Sequence, residues 1–191
     1  LGHAFPRVVQ AVAGELQNGS NFVRPSPLEV AAAEEFLRCV PTMDMVKFAK
    51  NGSDATTAGV KLARAHTGRD LVAICADHPF FSTDDWFIGT TPMSAGIPQA
   101  IQSLTVTFRF NDAGSLERLL QEHRGKIACV VLEAETSVAP QPGFLAAVRR
   151  LCDEHGALLM LDEMITGFRW DIGGAQKVHA IQPDLSTFGK A

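Results

Sequence analysis

Toward its end the sequence reads Pro183-Asp184-Leu185-Ser186-Thr187-Phe188-Gly189-Lys190, a short apolar run followed by glycine and lysine. A lysine placed directly after a buried strand would be partly desolvated, which disfavours the ammonium form and makes the amine a better nucleophile. The plain alternative is an exposed, solvated lysine. Upstream, Asp162-Glu163 follow the apolar stretch at 157–161 without a break, and Glu133-Ala134-Glu135 follow the one at 127–132. Carboxylates in such places are costly to bury unless a cation or a donor meets them. They read as metal ligands, as bases or as partners of a protonated heterocycle, with a helix or turn cap as the plain alternative. Two further segments invite a ligand. In Lys50-Asn51-Gly52-Ser53-Asp54-Ala55, Gly52 admits close backbone approach, Ser53 adds a hydroxyl, and the opening helix offers N–H groups to a phosphate. An ordinary cap by Ser53 or Asp54 is the competing reading. In Asp77-His78-Pro79-Phe80-Phe81-Ser82 a ring of Phe80 or Phe81 either stacks on a flat molecule or packs into the core.

The elements that must position these residues follow from the pattern of apolar runs. Runs at 45–49, 71–75, 104–108, 127–132, 157–161 and 185–188 are short, and several are continuous, as in strands buried on both faces of a parallel sheet. Helical periodicity spans 55–66, 113–123 and 143–155, each stretch ending in basic or glycine residues. Before them the chain reads as two helices, 6–16 and one from Pro27, separated by an extended Arg24-Pro25-Ser26-Pro27 loop. The alternation predicts an α/β fold, a mostly parallel sheet covered by helices on both faces. It also predicts a helical segment over 1–40 leading into one large domain over 41–191. In such sheets ligands sit outside the carboxyl ends of the strands. A phosphate cradle, an aromatic plate, an aspartate and a lysine, each at a strand end, is the set that pyridoxal 5'-phosphate requires.

Other classes are disfavoured. The net charge of −4 comes without a basic block, which argues against nucleic acid or an anionic membrane surface as a partner. No stretch approaches the roughly 18–20 apolar residues of a membrane span. Neither glycine-rich nucleotide fingerprint occurs. The six histidines lack paired spacing and the four cysteines lack CxxC spacing, so no metal site is expected, and reduced thiols suit a cytoplasmic protein.

Three segments resemble one family, the class III pyridoxal-phosphate-dependent aminotransferases, and look closest to its glutamate-1-semialdehyde 2,1-aminomutase-like members. FAKNGSDATTAGVKLAR (48–64) is similar to that family's phosphate loop and following helix. GFLAAVRRLCDEHGALLMLDEMITGFR (143–169) is similar to its helix, strand and aspartate motif. PDLSTFGKA (183–191) is similar to its lysine segment, and LGHAFPRVVQAV also fits its early region. The resemblance implies the large domain of a fold-type-I transferase, with a C-terminal small domain and an N-terminal segment outside this chain.

By that resemblance Lys190 forms the Schiff base with the cofactor and moves the proton between carbon centres, and Asp162 pairs with the pyridine nitrogen. Gly52, Ser53 and Asp54 lie at the phosphate. Phe80 takes the place of the stacking aromatic, with Phe81 as the alternative ring, and Met164 stands where a small apolar residue packs against the cofactor. The loop around Asn21 to Pro25 borders the substrate in such enzymes, so Arg24 either grips a substrate carboxylate or is a solvated loop arginine. Two departures stand out: Phe80-Phe81-Ser82 replaces an aromatic-His-Gly sequence, and Asp54 replaces a glutamate. The implied activity is movement of an amino group between adjacent carbons of one small amino-aldehyde or amino-acid substrate, in a homodimer with shared sites. A class III ω-aminotransferase with separate donor and acceptor is the alternative. A non-catalytic ligand-binding module would have lost the lysine or the aspartate, and both are present.

Overall fold

The computed structural model describes residues 2–190, which divide into two compact units, one ending at Lys47 and one running from Phe48 to Lys190. The first holds helices α1 (Pro6–Glu15) and α2 (Pro27–Cys39). Both open on a proline, whose missing N–H costs nothing in a first turn. Ser26 caps α2 by accepting from the Glu29 N–H at 3.2 Å. Neither helix buries a residue.

The second unit is built on five parallel strands in the order β2-β1-β3-β4-β5. They are β1 (Leu71–Cys75), β2 (Thr105–Phe108), β3 (Ile127–Leu132), β4 (Leu158–Glu163) and β5 (Leu185–Phe188). The longer helices are α3 (Gly52–Thr67), α6 (Ala113–Glu122) and α7 (Phe144–His155). Single-turn helices α4 (Asp85–Ile88), α5 (Gln99–Gln102) and α8 (Ala175–Val178) lie in the connections. Successive side chains along a strand face opposite sides. Ala73, Cys75, Val130, Leu132, Leu159 and Leu161 therefore join Leu116, Leu120, Val148 and Leu151 of α6 and α7 in one core. Val72, Ile74, Val131 and Met160 join Val60 and Ala63 of α3 in the other. Gly59 makes the second packing possible, because a Cβ there would sit 2.6 Å from Met160 Sδ.

One expected strand does not form. Residues 45–49 have no regular structure, and Met45 is 87% exposed. The run is short, carries Lys47 at its centre, and its large side chains find no buried face. Helix α3 also starts three residues before the periodicity implies, for a reason that belongs to the site.

Candidate functional site

The N-terminus of α3 is capped by Asn51, whose Oδ1 accepts from the Asp54 N–H at 3.0 Å. Asp54 answers through Oδ2, which accepts from Asn51 Nδ2 at 3.1 Å. This reciprocal pair resembles a capping box and corrects two expectations: neither Ser53 nor Asp54 is the cap residue, and the Asp54 carboxylate is turned onto the cap. Among the described residues nothing accepts from the N–H groups of Gly52 and Ser53. Ser53 Oγ accepts from Thr83 N–H at 3.0 Å, which leaves its own proton to donate. A helix end with two unclaimed N–H groups and a hydroxyl donor suits a phosphate.

The loop after β1 is fastened to the same helix. Thr56 Oγ1 donates to the Phe81 carbonyl at 2.8 Å, and Trp86 Nε1 donates to Thr57 Oγ1 at 2.8 Å. This anchoring decides between the two phenylalanines. Phe81 is 2% exposed, packed edge-on against Phe87 and near His78, so its ring has no free face for a ligand. Phe80 is 47% exposed and presents the open ring.

Asp162 lies inside β4, level with Thr187 of β5, and is 4% exposed. Its Oδ1 accepts from the Met164 N–H at 2.9 Å and from Thr187 Oγ1 at 3.1 Å. Burial pushes its pKa up to about 6, against the opposing pull of those two donors and of the Lys190 charge. The neighbouring carboxylate has a different task. Glu163, fully buried on the opposite face, accepts from Ala175 N–H at 2.9 Å, from Gln176 N–H at 2.7 Å and from the Thr166 hydroxyl. It thereby closes the 164–174 loop onto the sheet.

Met164, 8% exposed, runs between the two glycines of the site: a Cβ on Gly52 or on Gly189 would meet its Sδ at 3.1 Å or 2.7 Å. Lys190 leaves β5 through Gly189 with φ 52°, its carbonyl accepting from Arg169 Nη2. Lys190 is exposed in this structure, against the partial burial expected of it. Its charge acts on both Asp162 and Glu133. Gly52, Ser53, Phe80, Asp162, Met164 and Lys190 thus all belong to the Phe48–Lys190 unit, around the carboxyl ends of its strands. Arg24 is exposed in a bend of the other unit. Sequence reasoning missed Thr187, Thr56 and Thr57, whose partners lie 25 to 29 residues away in the chain.

The family model for class-III aminotransferases matches residues 1–191. Among solved structures, the FumI protein of Sphingopyxis sp. MTA144, in its PLP internal aldimine form, is 34% identical with a TM-score of 0.89, covering 100% of this chain and 47% of that one. An ω-transaminase from Sphaerobacter thermophilus is 31% identical with a TM-score of 0.90, covering 98% and 47%. A glutamate-1-semialdehyde-aminomutase from Pseudomonas aeruginosa PAO1 is 26% identical with a TM-score of 0.84, covering 100% and 44%. The chain spans about half the length of these structures.

Proposed function

This chain belongs to the class III aminotransferase family, and from that premise we propose that it forms the cofactor-binding part of an enzyme that transfers amino groups with pyridoxal 5'-phosphate. The observation that carries the reading is the meeting of four groups around the carboxyl ends of one sheet: the α3 N-terminus, the open ring of Phe80, the buried Asp162 and Lys190. The residues fit that cofactor. The N–H groups of Gly52 and Ser53 and the Ser53 hydroxyl match its phosphate. Phe80 and Met164 would supply the apolar contacts to its ring. Asp162 supplies an acceptor for a protonated ring nitrogen. Gly52 and Gly189 leave room for Met164, since a Cβ on either would crowd its sulfur.

When bound, the cofactor withdraws electrons from the carbon next to the substrate nitrogen and so makes its proton removable. The chain's own residues orient and hold. Asp162, kept in place by Met164 N–H and Thr187, holds the proton on the ring nitrogen. Lys190 supplies the amine that carries the cofactor and then moves the proton at the reacting carbon.

Transfer between a separate donor and acceptor is favoured over migration within one substrate, because the ω-transaminase is 31% identical and the aminomutase 26%. The single-substrate reading remains the second. Both carry a homodimer with shared sites and a small amino-acid or amino-aldehyde substrate.

The test uses the full-length protein: visible absorbance of bound pyridoxal phosphate, borohydride reduction, and mapping of the modified lysine. Modification at Lys190 supports the reading, and modification elsewhere or no bound cofactor defeats it. Amino transfer from a donor to a keto acceptor, set against isomerisation of a single amino-aldehyde, then separates the two activities.

A further inference from the structure

Strand order places a crevice where the sheet changes direction. From β1 the chain goes to β2 on one side and returns to β3 on the other, so the loops after β1 and β3 diverge above that boundary. Two titratable groups stand there, His78 after β1 and Glu133 after β3. Both are buried, at 5% and 4% exposure. They are joined across the boundary: the Glu133 N–H donates to His78 Nδ1 at 3.0 Å. That bond fixes the imidazole tautomer, with its proton on Nε2. Burial pushes the His78 pKa down to about 4, so the ring is neutral near pH 7 and brings no positive charge.

The Glu133 carboxyl lies beside Asp162. Leu132 pairs with Leu161, so one step further along these parallel strands Glu133 is level with Asp162. Val131 and Met160 both face the α3 side, and by alternation Glu133 and Asp162, each two residues on, share that side. The two acids differ in what meets them. Asp162 has two donors, Met164 N–H and Thr187 Oγ1. Among the described residues no donor reaches the Glu133 carboxyl. The charged groups acting on Glu133 are the Asp162 carboxylate and the Lys190 ammonium. Two ionised, buried carboxylates facing one exposed ammonium are less stable than one carboxylate and one acid. The donors on Asp162 decide which of the two keeps the proton.

We propose that Glu133 is a positioning residue of the site, a carboxyl that retains its proton beside Asp162 so that Asp162 alone faces the cofactor nitrogen as an anion. The role given to Asp162 rests on the cofactor reading above; the proton on Glu133 does not. The direction agrees with electrostatics, since burial first and the Asp162 charge second push Glu133 up to about 7.

The test is infrared difference spectroscopy of the full-length protein freed of cofactor, titrated from about pH 5 to about pH 9, for wild type, Glu133→Gln and Asp162→Asn. A protonated-carboxyl band that disappears with a midpoint near neutrality, is missing in Glu133→Gln, and shifts its midpoint downward in Asp162→Asn supports the proposal. A lower step near 6 from Asp162 should persist in Glu133→Gln and vanish in Asp162→Asn; an upper step near 7 that survives in Glu133→Gln, or no such upper step in wild type, overturns the proposal. In the loaded protein, Glu133→Gln should alter the pH dependence of the cofactor's visible spectrum, because the charge beside Asp162 no longer changes with pH. If wild type binds no pyridoxal phosphate, the cofactor reading falls and the role of Asp162 with it. If it binds the cofactor but the infrared band is unchanged by Glu133→Gln, only the proposal for Glu133 falls.

Discussion

At the amino-terminal end of the sheet, Arg149 donates to Asp153 at 2.6 Å and to Asp184 at 2.8 Å, and Arg69 donates to the carbonyls of Ile127, His155 and Gly156. At the carboxyl end, Asp162 and Glu133 are buried with their pKa values pushed up to about 6 and about 7, and His78 is pushed down to about 4. The same sheet thus matches its charges at one end and holds weakly compensated ionisable groups at the other. Matched pairs stabilise a fold without preparing it for chemistry. Carboxyls whose pKa is displaced toward neutral pH, as those of Asp162 and Glu133 are, are poised for it, at a cost in stability that the packed cores on both faces offset.

Substitutions should separate the two ends by readout. The largest effect belongs to Lys190. In the full-length protein Lys190→Ala should lower amino transfer about 10^3-fold or more and abolish borohydride labelling. Compared free of cofactor, this variant and wild type should unfold within about 0.5 kcal/mol of each other, the range of substitutions that disturb no packed contact. Asp162→Asn should follow, with a loss on the order of 10^2-fold in turnover and weaker cofactor retention, but no loss of thermal stability when both proteins are compared free of cofactor. If either variant lost stability instead of function, the contrast between the two ends would fail.

Phe80 and Phe81 test the same distinction within one loop. Phe81→Ala should cost about 3–5 kcal/mol of stability through a core cavity. Phe80→Ala should weaken pyridoxal phosphate binding by about 3–10-fold, the worth of one ring contact, with little change in unfolding. At the amino-terminal end, Arg149→Ala should cost about 2 kcal/mol in denaturant unfolding, by leaving Asp184 without its cation. The cofactor spectrum of that variant should be unaltered.

The smallest effect is in the pH dependence of the cofactor-free protein's stability. The folded values of Asp162 and Glu133, about 6 and about 7, lie above their unfolded values of 3.8 and 4.5. Their contribution is complete below those unfolded values and is lost as pH rises through the folded ones. His78 has the opposite sign. Its folded value of about 4 lies below 6.5, so its contribution is present above 6.5 and lost as pH falls toward 4. Where both act, two acids outweigh one imidazole, and the denaturation midpoint should fall as pH rises through the weakly acidic range. Glu133→Gln should remove one group's share of that slope; an unchanged slope would show that Glu133 ionises normally.

Much of the fold is legible in the order of residues alone. The continuous apolar runs at 71–75 and 127–132 form β1 and β3, because side chains buried on both faces leave no room for alternation. The run at 45–49 looks similar and forms no strand, since burial depends on a partner that local composition does not reveal. Periodicity places the start of α3 three residues late because Asn51, not Ser53 or Asp54, closes the helix end. Phe80 and Phe81 are indistinguishable in sequence. Both rings meet Phe87 edge-on, and which one is buried depends on Thr56 and His78, supplied from outside the pair.

By itself the sequence determined the alternation of strands and helices, the family motifs, and the presence of an aspartate and a lysine at strand ends, because periodicity and motif spacing are local properties of the chain. Only the tertiary structure decided that Asp162 stands level with Thr187, that Glu133 stands beside Asp162, and that His78 binds the Glu133 backbone 55 residues away. Those neighbours follow from strand order and register, which arise when separate segments pack against shared cores. The displaced pKa values follow in turn, since burial and neighbouring charge are set only once the strands lie side by side.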